Sequence, residues 1–578
     1  MAITVTLFIS LAIALIDAAS IRHATRSTSS GPEDLCHSKV YCEGPLLKTV
    51  QLSGIFNDSK TFVDLYQLHD PDVTIDNFNA LMNATNNAPN RDQVAAFVAQ
   101  NFAEQDELEN ATLPDWTENP KILKSIGDPT YREWAKNLNL IWKELARRLN
   151  HDVVVDIQRH SLIYVNNTFI IPGGRFREFY YWDSYWIIEG LLLCDMHDTV
   201  KGMIENFLSM VDRFGFVPNG GRIYYLSRSQ PPLLIPMVAK YYEFTGDRKF
   251  LRENIALLEA EFEYWQNEMT VNVIKNDKTY KLAHYVVNSP NPRPESYKED
   301  YRLAQQLPEE KRGAVYDDLK AAAESGWDFS YRWCIRSNET AQLSLLNVST
   351  SDIIPVDLNA ILQRNAKLLA YFHSILYNPL KVLRYTRIAQ NYQAAINDVL
   401  WNENEGVWLD YDTRNKRHRD TFYVSNLTPL YTMSYNRSRR ETYAQKAISY
   451  LKKNKIDAFY GGTPTSMNYT GEQWDFPNAW PPLQSFLIQG LYQTQVKKAM
   501  DLAEDFAIRW LRSNYLGYKE SGNMFEKYNA IIPGDGGGGG EYLVQTGFGW
   551  TNGVVFEFLS TFPDAKFSDS GNSSDTDR

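Results

Sequence analysis

LRENIALLEAEFEYW, residues 251–265, decides the fold. Its apolar side chains Leu251, Ile255, Leu258, Phe262 and Trp265 recur at steps of three and four, with charged residues between them. That spacing puts all five on one face of an α-helix and leaves the opposite face to water. The same rhythm returns along the chain. It runs through Trp134, Leu138, Ile141, Leu145 and Leu149, and again through Val496, Met500, Ala503, Phe506 and Trp510. A further stripe of Leu358, Leu362, Leu369 and Phe372 follows Asp357, a residue suited to start a helix. Between the stripes lie stretches rich in Gly, Asn, Pro and aromatics, such as GFVPNGGRIYY (215–225), GTPTSMNYTGEQWDFPNAW (462–480) and LGYKESGNMFEKYN (516–529). No long alternating pattern recurs, and no linker divides the chain. The reading is all-α: helix pairs closed into a ring, with elaborate loops gathered at one mouth. A fixed repeat of 30–45 residues would point to a stacked solenoid instead, and none is present.

The chain has 578 residues and a net charge of −11. Such a balance excludes a nucleic-acid surface, because no basic field exists to displace phosphate counterions. The basic run TRNKRHR (413–419) reads as a solvated loop. Residues 1–20, MAITVTLFISLAIALIDAAS, carry an apolar stretch too short to span a bilayer, followed by small residues. They read as a secretory signal peptide, although no Lys or Arg precedes the apolar stretch. Ten Asn-x-Ser/Thr sequons agree with export. Four cysteines are too few for a disulfide scaffold. Cys36 and Cys42 are close enough to bridge, whereas Cys194 and Cys334 sit in apolar surroundings as buried thiols. The tail from 563 to 578 is polar, and neither a membrane anchor nor a lipid-anchor signal is visible. A soluble, secreted glycoprotein is expected, with one catalytic domain over residues 21–562. Its oligomeric state is left open.

Aromatic residues make up 13% of the chain, with 14 Trp and 35 Tyr. Aromatic faces stack on the C–H faces of sugars, but they also fill cores. No zinc-protease, serine-hydrolase or phosphate-loop motif is present. Gly534–Gly539 satisfies a dinucleotide pattern only because a glycine run matches it trivially. Gly536–Gly540 reads as a lid or a close backbone approach, or simply a flexible loop. What remains are carboxylates set among aromatics. Hydrolysis of a glycosidic bond needs one carboxylic acid to protonate the leaving oxygen and one carboxylate to act on water or on the sugar. Apolar surroundings raise a carboxyl pKa and keep the acid protonated. Asp328 in GWDFSYRW and Glu526 in MFEKY fit that description, with Asp183, Glu295 and Asp475 as further candidates. Each, taken alone, reads more readily as a carboxylate that anchors a loop or pairs with an arginine. Arg175, Arg228 and Arg293 lie in Gly/Pro/Ser-rich loops, where a guanidinium fork holds vicinal hydroxyls or orients a carboxylate.

PGGRFREFYYWDSYW (172–186) resembles the first signature of the trehalase family, and QWDFPNAWPP (473–482) resembles the second. VPNGGRIYYLSRSQPP, SPNPRPESY, AESGWDFSYRW, NMFEKYN and GGGGGEYLVQTGFGWTNGV are similar to further family segments, in family order. The resemblance spans about Cys42 to Phe562. It implies an (α/α)6 barrel of six helical hairpins that hydrolyses α,α-trehalose to two glucose molecules with inversion and without a metal or organic cofactor. It also implies general acid Asp328 and general base Glu526. Arg175, Trp182, Asp183, Asn219, Arg228, Ser229, Gln230, Arg293, Glu295 and Gly326 would line the two glucose subsites. Asp475 keeps a loop-anchoring role. The competing readings are another helical-barrel glycosidase or a disaccharide phosphorylase, and a secreted sugar-binding protein without catalysis.

Overall fold

A computed structural model describes residue 32 and residues 34–336 and 343–568. The expected signal peptide (1–20), most of the polar tail, and the sequons at Asn338 and Asn572 lie outside the described residues.

Among the described residues, twelve helices build the barrel in pairs. The inner ring is α2 (Asp183–Leu193), α4 (Leu234–Thr245), α6 (Val356–Ile375), α8 (Thr428–Thr432), α10 (Pro481–Gln493) and α12 (Gly549–Thr561). Each packs on the next, and α12 closes the ring on α2. The outer ring is α1 (Pro129–Leu145), α3 (His197–Phe214), α5 (Arg248–Glu268), α7 (Pro379–Ala395), α9 (Arg440–Lys453) and α11 (Lys497–Ser521). The architecture is the expected (α/α)6 barrel.

The two rings differ in sequence because they differ in surroundings. Outer helices have one wet face and are amphipathic: in α5, Phe250, Leu251, Leu258, Phe262 and Trp265 are buried. Asp247 caps α5 by accepting from the Phe250 N–H, and Asp128 caps α1 through the Thr130 and Tyr131 N–H groups. Inner helices are enclosed on every side, so α2, α10 and α12 are buried over almost their whole length and show no stripe. The closest inner neighbours meet at glycines. A Cβ on Gly553 would lie 2.0 Å from the Trp186 carbonyl oxygen, and one on Gly190 would lie 2.8 Å from the Gly553 Cα.

The structure corrects two sequence expectations. The stripe from Trp134 does not continue to Leu149 as helix. Helix α1 ends at Leu145, and Ala146–Leu149 forms the central strand between Leu108–Asn110 and Phe169–Ile170. A β-hairpin, Thr270–Lys275 with Lys278–Ala283, also escapes the pattern analysis. Its turn residues Asn276 and Asp277 take φ of 51° and 58°, the left-handed pair that a two-residue hairpin turn requires.

A smaller hydrophobic cluster forms an N-terminal flank. Helices Pro45–Leu52, Ser59–Val63, Pro71–Ala84 and Arg91–Asn101 pack around Phe62, Phe97 and Phe102, and that cluster rests on Tyr180, Tyr224 and Tyr225 of the barrel loops. Cys36 and Cys42 form a disulfide, while Cys194 and Cys334 are buried thiols. The sequon at Asn426 is buried, its amide donating to Tyr450 Oη, which closes that position to a glycan in the folded chain. Among the described residues no helix is long and apolar enough to cross a membrane.

Candidate active site

The loops that enter the inner helices collect at one end of the barrel, around a cavity of about 710 Å³ that opens to solvent. Every inner helix therefore presents its N-terminal end to the mouth. Among the residues lining the cavity are Arg175, Trp182, Asp183, Asn219, Arg228, Gln230, Arg293, Glu295, Gly326, Asp328 and Glu526. Sequence positions 351 residues apart thus meet in one pocket.

Ser229 is the exception. Its side chain is fully buried behind the wall, where Oγ donates to the Val217 carbonyl at 2.6 Å and its N–H donates to Glu324. It braces the loop that carries Arg228 and Gln230 and does not line the cavity.

Asp328 sits below the molecular surface with one side turned to the cavity. Burial pushes its carboxyl up to about 7, with Arg293 pulling down and Glu541 pushing up. Among the described residues no side-chain donor is hydrogen-bonded to that carboxyl, and the local hydrogen bond that favours its anion comes from its own backbone N–H. Glu526 is more deeply buried, and burial raises its pKa as well, but its surroundings favour the anion. Lys527 is adjacent, Tyr542 Oη donates to Oε1 at 2.8 Å, and the Gln545 N–H approaches Oε2 at 3.5 Å. Asp183 opens α2 and is pushed well up by burial and by the charges of Glu526 and Asp328. The three carboxyls therefore share one electrostatic site. Two of them carry little stabilisation as anions, and one is equipped with donors.

The arginines are positioned by carboxylates and left partly free. Arg228 Nε donates to Asn219 and Nη2 to Glu295 at 2.7 Å, while its Nη1 has no protein partner. Burial alone would raise the Glu295 carboxyl, but Arg228 and Arg293 hold it below the usual range. Arg293 is gripped by Asp300 at 2.7 Å and reaches Glu541 at 2.9 Å. Arg175 pairs with Asp58 of the N-terminal flank at 2.7 Å, and its Nε is unpartnered. The free donors and acceptors are buried polar groups that a ligand's hydroxyls would satisfy.

Aromatic walls complete the pocket. Trp182 packs against Trp474 and Trp550, and its backbone N–H donates to Gln230 Oε1. Gly326 has φ of +81°, and a Cβ there would meet the Trp182 ring at 2.6 Å. Asp475, kept as a loop anchor, is fully buried. It accepts from the hydroxyls of Ser330, Ser466 and Thr470 and from the Tyr331 N–H, tying the second signature to the Asp328 loop. The glycine run is fastened rather than free. Gly537 donates to the Lys527 carbonyl, Gly538 exchanges two hydrogen bonds with the Asn478 amide, and Gly540 donates to the Gly471 carbonyl.

That strap carries two residues the sequence reading missed, Glu541 and Tyr542, which both face the cavity. Their signal was present as an acidic and an aromatic residue directly after five glycines. Lys60 of the N-terminal flank, also at the wall, gave no signal at all. Among the described residues no group of three or more His, Cys, Asp or Glu side chains is placed to hold a metal ion.

Comparison with known proteins agrees with this geometry. The family model for trehalase matches residues 54–563. The trehalase of Pimpla hypochondriaca is 56% identical over 562 residues, covering 97% of this chain and 95% of that protein. The human trehalase is 45% identical over 530 residues, covering 92% and 90% respectively. The neutral trehalase structure from Saccharomyces cerevisiae shares the fold at a TM-score of 0.54 and 22% identity, covering 68% of this chain and 73% of that one. The chain belongs to the trehalase family.

Proposed function

We propose that this chain hydrolyses α,α-trehalose to two glucose molecules with inversion, Asp328 acting as general acid and Glu526 as general base. The observation that carries the assignment is the contrast between the two carboxyls in one buried cavity. Asp328 lacks side-chain donors and holds its proton up to about pH 7. Glu526 faces Tyr542, Lys527 and the Gln545 N–H, all of which favour the carboxylate. The first is built to give a proton and the second to take one.

In the step itself, Asp328 protonates the glycosidic oxygen as its bond to the anomeric carbon breaks. A water loses a proton to Glu526, and its oxygen bonds the same carbon from the opposite face. One α- and one β-glucose leave, and the two carboxyls reset by proton exchange with solvent. Asp183, Arg175, Arg228, Arg293 and Glu295 hold sugar hydroxyls, with Asn219 and Gln230 beside them and Trp182 as a stacking wall. Sites of this kind reject an analogue that lacks a hydroxyl, because its buried partners stay unsatisfied.

The expected leader at residues 1–20 and the sequons support export to the extracellular space, with one catalytic domain over 21–562 and a polar tail after it. Purified protein incubated with trehalose tests the reaction, with NMR of the fresh products. Equal initial amounts of α- and β-glucose support inversion. Two α-anomers, or glucose formed only when phosphate is added, would refute it.

A further inference from the structure

A second cavity, of about 620 Å³ counting its opening, lies at the opposite end of the barrel from the mouth. The inner helices run with their N-termini at the mouth, and the residues around this cavity come from their later turns. Glu189, Lys240, Arg364, Tyr431, Gln489 and Glu557 contribute one side chain from each of the six inner helices. A closed ring ordinarily fills its axis with apolar side chains, as this barrel does above, where Trp182 meets Trp186 edge-on and Trp186 packs tilted against Phe486. Six polar side chains converging on empty space need another account.

Their chemistry narrows the ligand. Lys240 donates to Glu189 Oε1 at 2.7 Å, and Arg364 lies over the Tyr431 ring. Two cations face Glu189, Glu557 and Glu243, so no positive surplus is available for an anion. Both Glu189 and Glu557 are more than nine-tenths buried, and each has an Oε2 without a protein partner. The amides of Gln489 and Gln493 and the hydroxyls of Ser560 and Thr561 both donate and accept. Phe244, 40% exposed, offers a ring at the edge. Unpaired carboxyl oxygens, a guanidinium fork and an aromatic face match vicinal hydroxyls on a C–H framework.

We infer that the closed end of the barrel is a second binding site, for a neutral polyhydroxylated small molecule of monosaccharide size. It is built independently of the reaction assigned to the mouth. The test uses glucose as the probe, with crystals of the full chain soaked in it and calorimetric titration in solution. Expected are glucose density against Glu189 and Glu557, and two binding events per chain. Gln493→Trp, which plugs the opening, should weaken one event at least tenfold and leave kcat/KM for trehalose unchanged. Ser560→Trp, at an exposed rim position, serves the same purpose if the first variant does not fold. Ordered water alone in the lower cavity, binding at crystal concentration only, or a single event unaffected by either plug would overturn the inference. Loss of trehalose turnover in wild type would refute the proposed reaction but not this site.

Discussion

Tyr542→Phe separates the two catalytic roles proposed for Asp328 and Glu526. The hydroxyl donates to Glu526 Oε1 at 2.8 Å, a hydrogen bond to the form of Glu526 that must be charged to accept a proton from water. Hydrogen bonds to charged groups contribute about 1.5–3 kcal/mol. At 1.36 kcal/mol per pKa unit, losing this one raises the Glu526 pKa by about 1–2 units, toward the low end where water replaces the hydroxyl. A base with a raised pKa is ionised only at higher pH, so the acid limb of the kcat/KM profile should move up by that amount. The basic limb reports loss of the proton from Asp328, which lies near pH 7, and should stay in place. As the limbs converge, the plateau narrows and its height falls, because fewer molecules hold one proton on Asp328 and none on Glu526. Initial rates of glucose release at low trehalose, from pH 4 to 9, measure both limbs. An unmoved acid limb, or a shift of the basic limb instead, would refute the assignment of Glu526 as the base.

Asp328→Asn and Glu526→Gln should each fold and lose on the order of 10²-fold or more in kcat, measured by glucose release. Stability should move the other way in Asp328→Asn. Its native carboxyl, raised from 3.8 to about 7, contributes stability below pH 3.8 that is lost as pH rises through about 7. The variant should therefore gain about 1–4 kcal/mol over wild type at pH 8, seen by urea unfolding, and little at pH 4. Gly326→Ala combines a left-handed backbone with a clash against the Trp182 ring, and should cost about 1–3 kcal/mol in the same unfolding assay together with at least a tenfold fall in kcat/KM. Asp475→Ala strands three hydroxyls and the Tyr331 N–H, costing about 3–5 kcal/mol by urea unfolding, with activity falling in step.

The sequence revealed the outer ring more readily than the inner one. The stripes of α1, α5 and α11 are legible because one face of each meets water. Helices α2 and α12 have no wet face, so YYWDSYWIIEGLLL and GFGWTNGVVFEFLS carry no period to detect. Apart from α6, whose stripe Leu358, Leu362, Leu369 and Phe372 is legible, the inner ring was reached through the loops that precede it. The hairpin 270–283 was missed because TVNVIK alternates over only six residues and its turn is Asn-Asp rather than the commoner Asn-Gly. At the site, composition nominated Asp328 and Glu526 together with equally aromatic rivals. Residue types alone could not separate Asp328 from Asp475: both stand between Trp and Phe, and only the fold gives Asp475 four donors and leaves Asp328 without a side-chain one. The direction of the Ser229 side chain was hidden for a related reason. It lies between Arg228 and Gln230, which both face the cavity, and a loop's alternation of inward and outward side chains is set by hydrogen bonds that no spacing reports.

The carboxyls at the mouth also explain how the barrel divides its labour. Holding Asp328 and Asp183 desolvated without paired cations is unfavourable at neutral pH, and such sites persist only where the surroundings are strongly fixed. Arg332 supplies part of that fixing one turn beyond Asp328. It is fully buried, bidentate to Asp357 at the start of α6 and bidentate to Asp410, and it stacks over Trp327. Trp327 immediately precedes Asp328, so the position of the proposed proton donor is set by an ion-pair network that does not touch the cavity. Removing Arg332 would leave two buried aspartates unpaired and release Trp327 together. The Arg332 pairs lie behind the wall, whereas at the cavity Asp328 is left without a hydrogen-bonded side-chain donor and Glu526 is given one in Tyr542; this contrast supports the proposed division, with the proton held more firmly on one carboxyl than on the other.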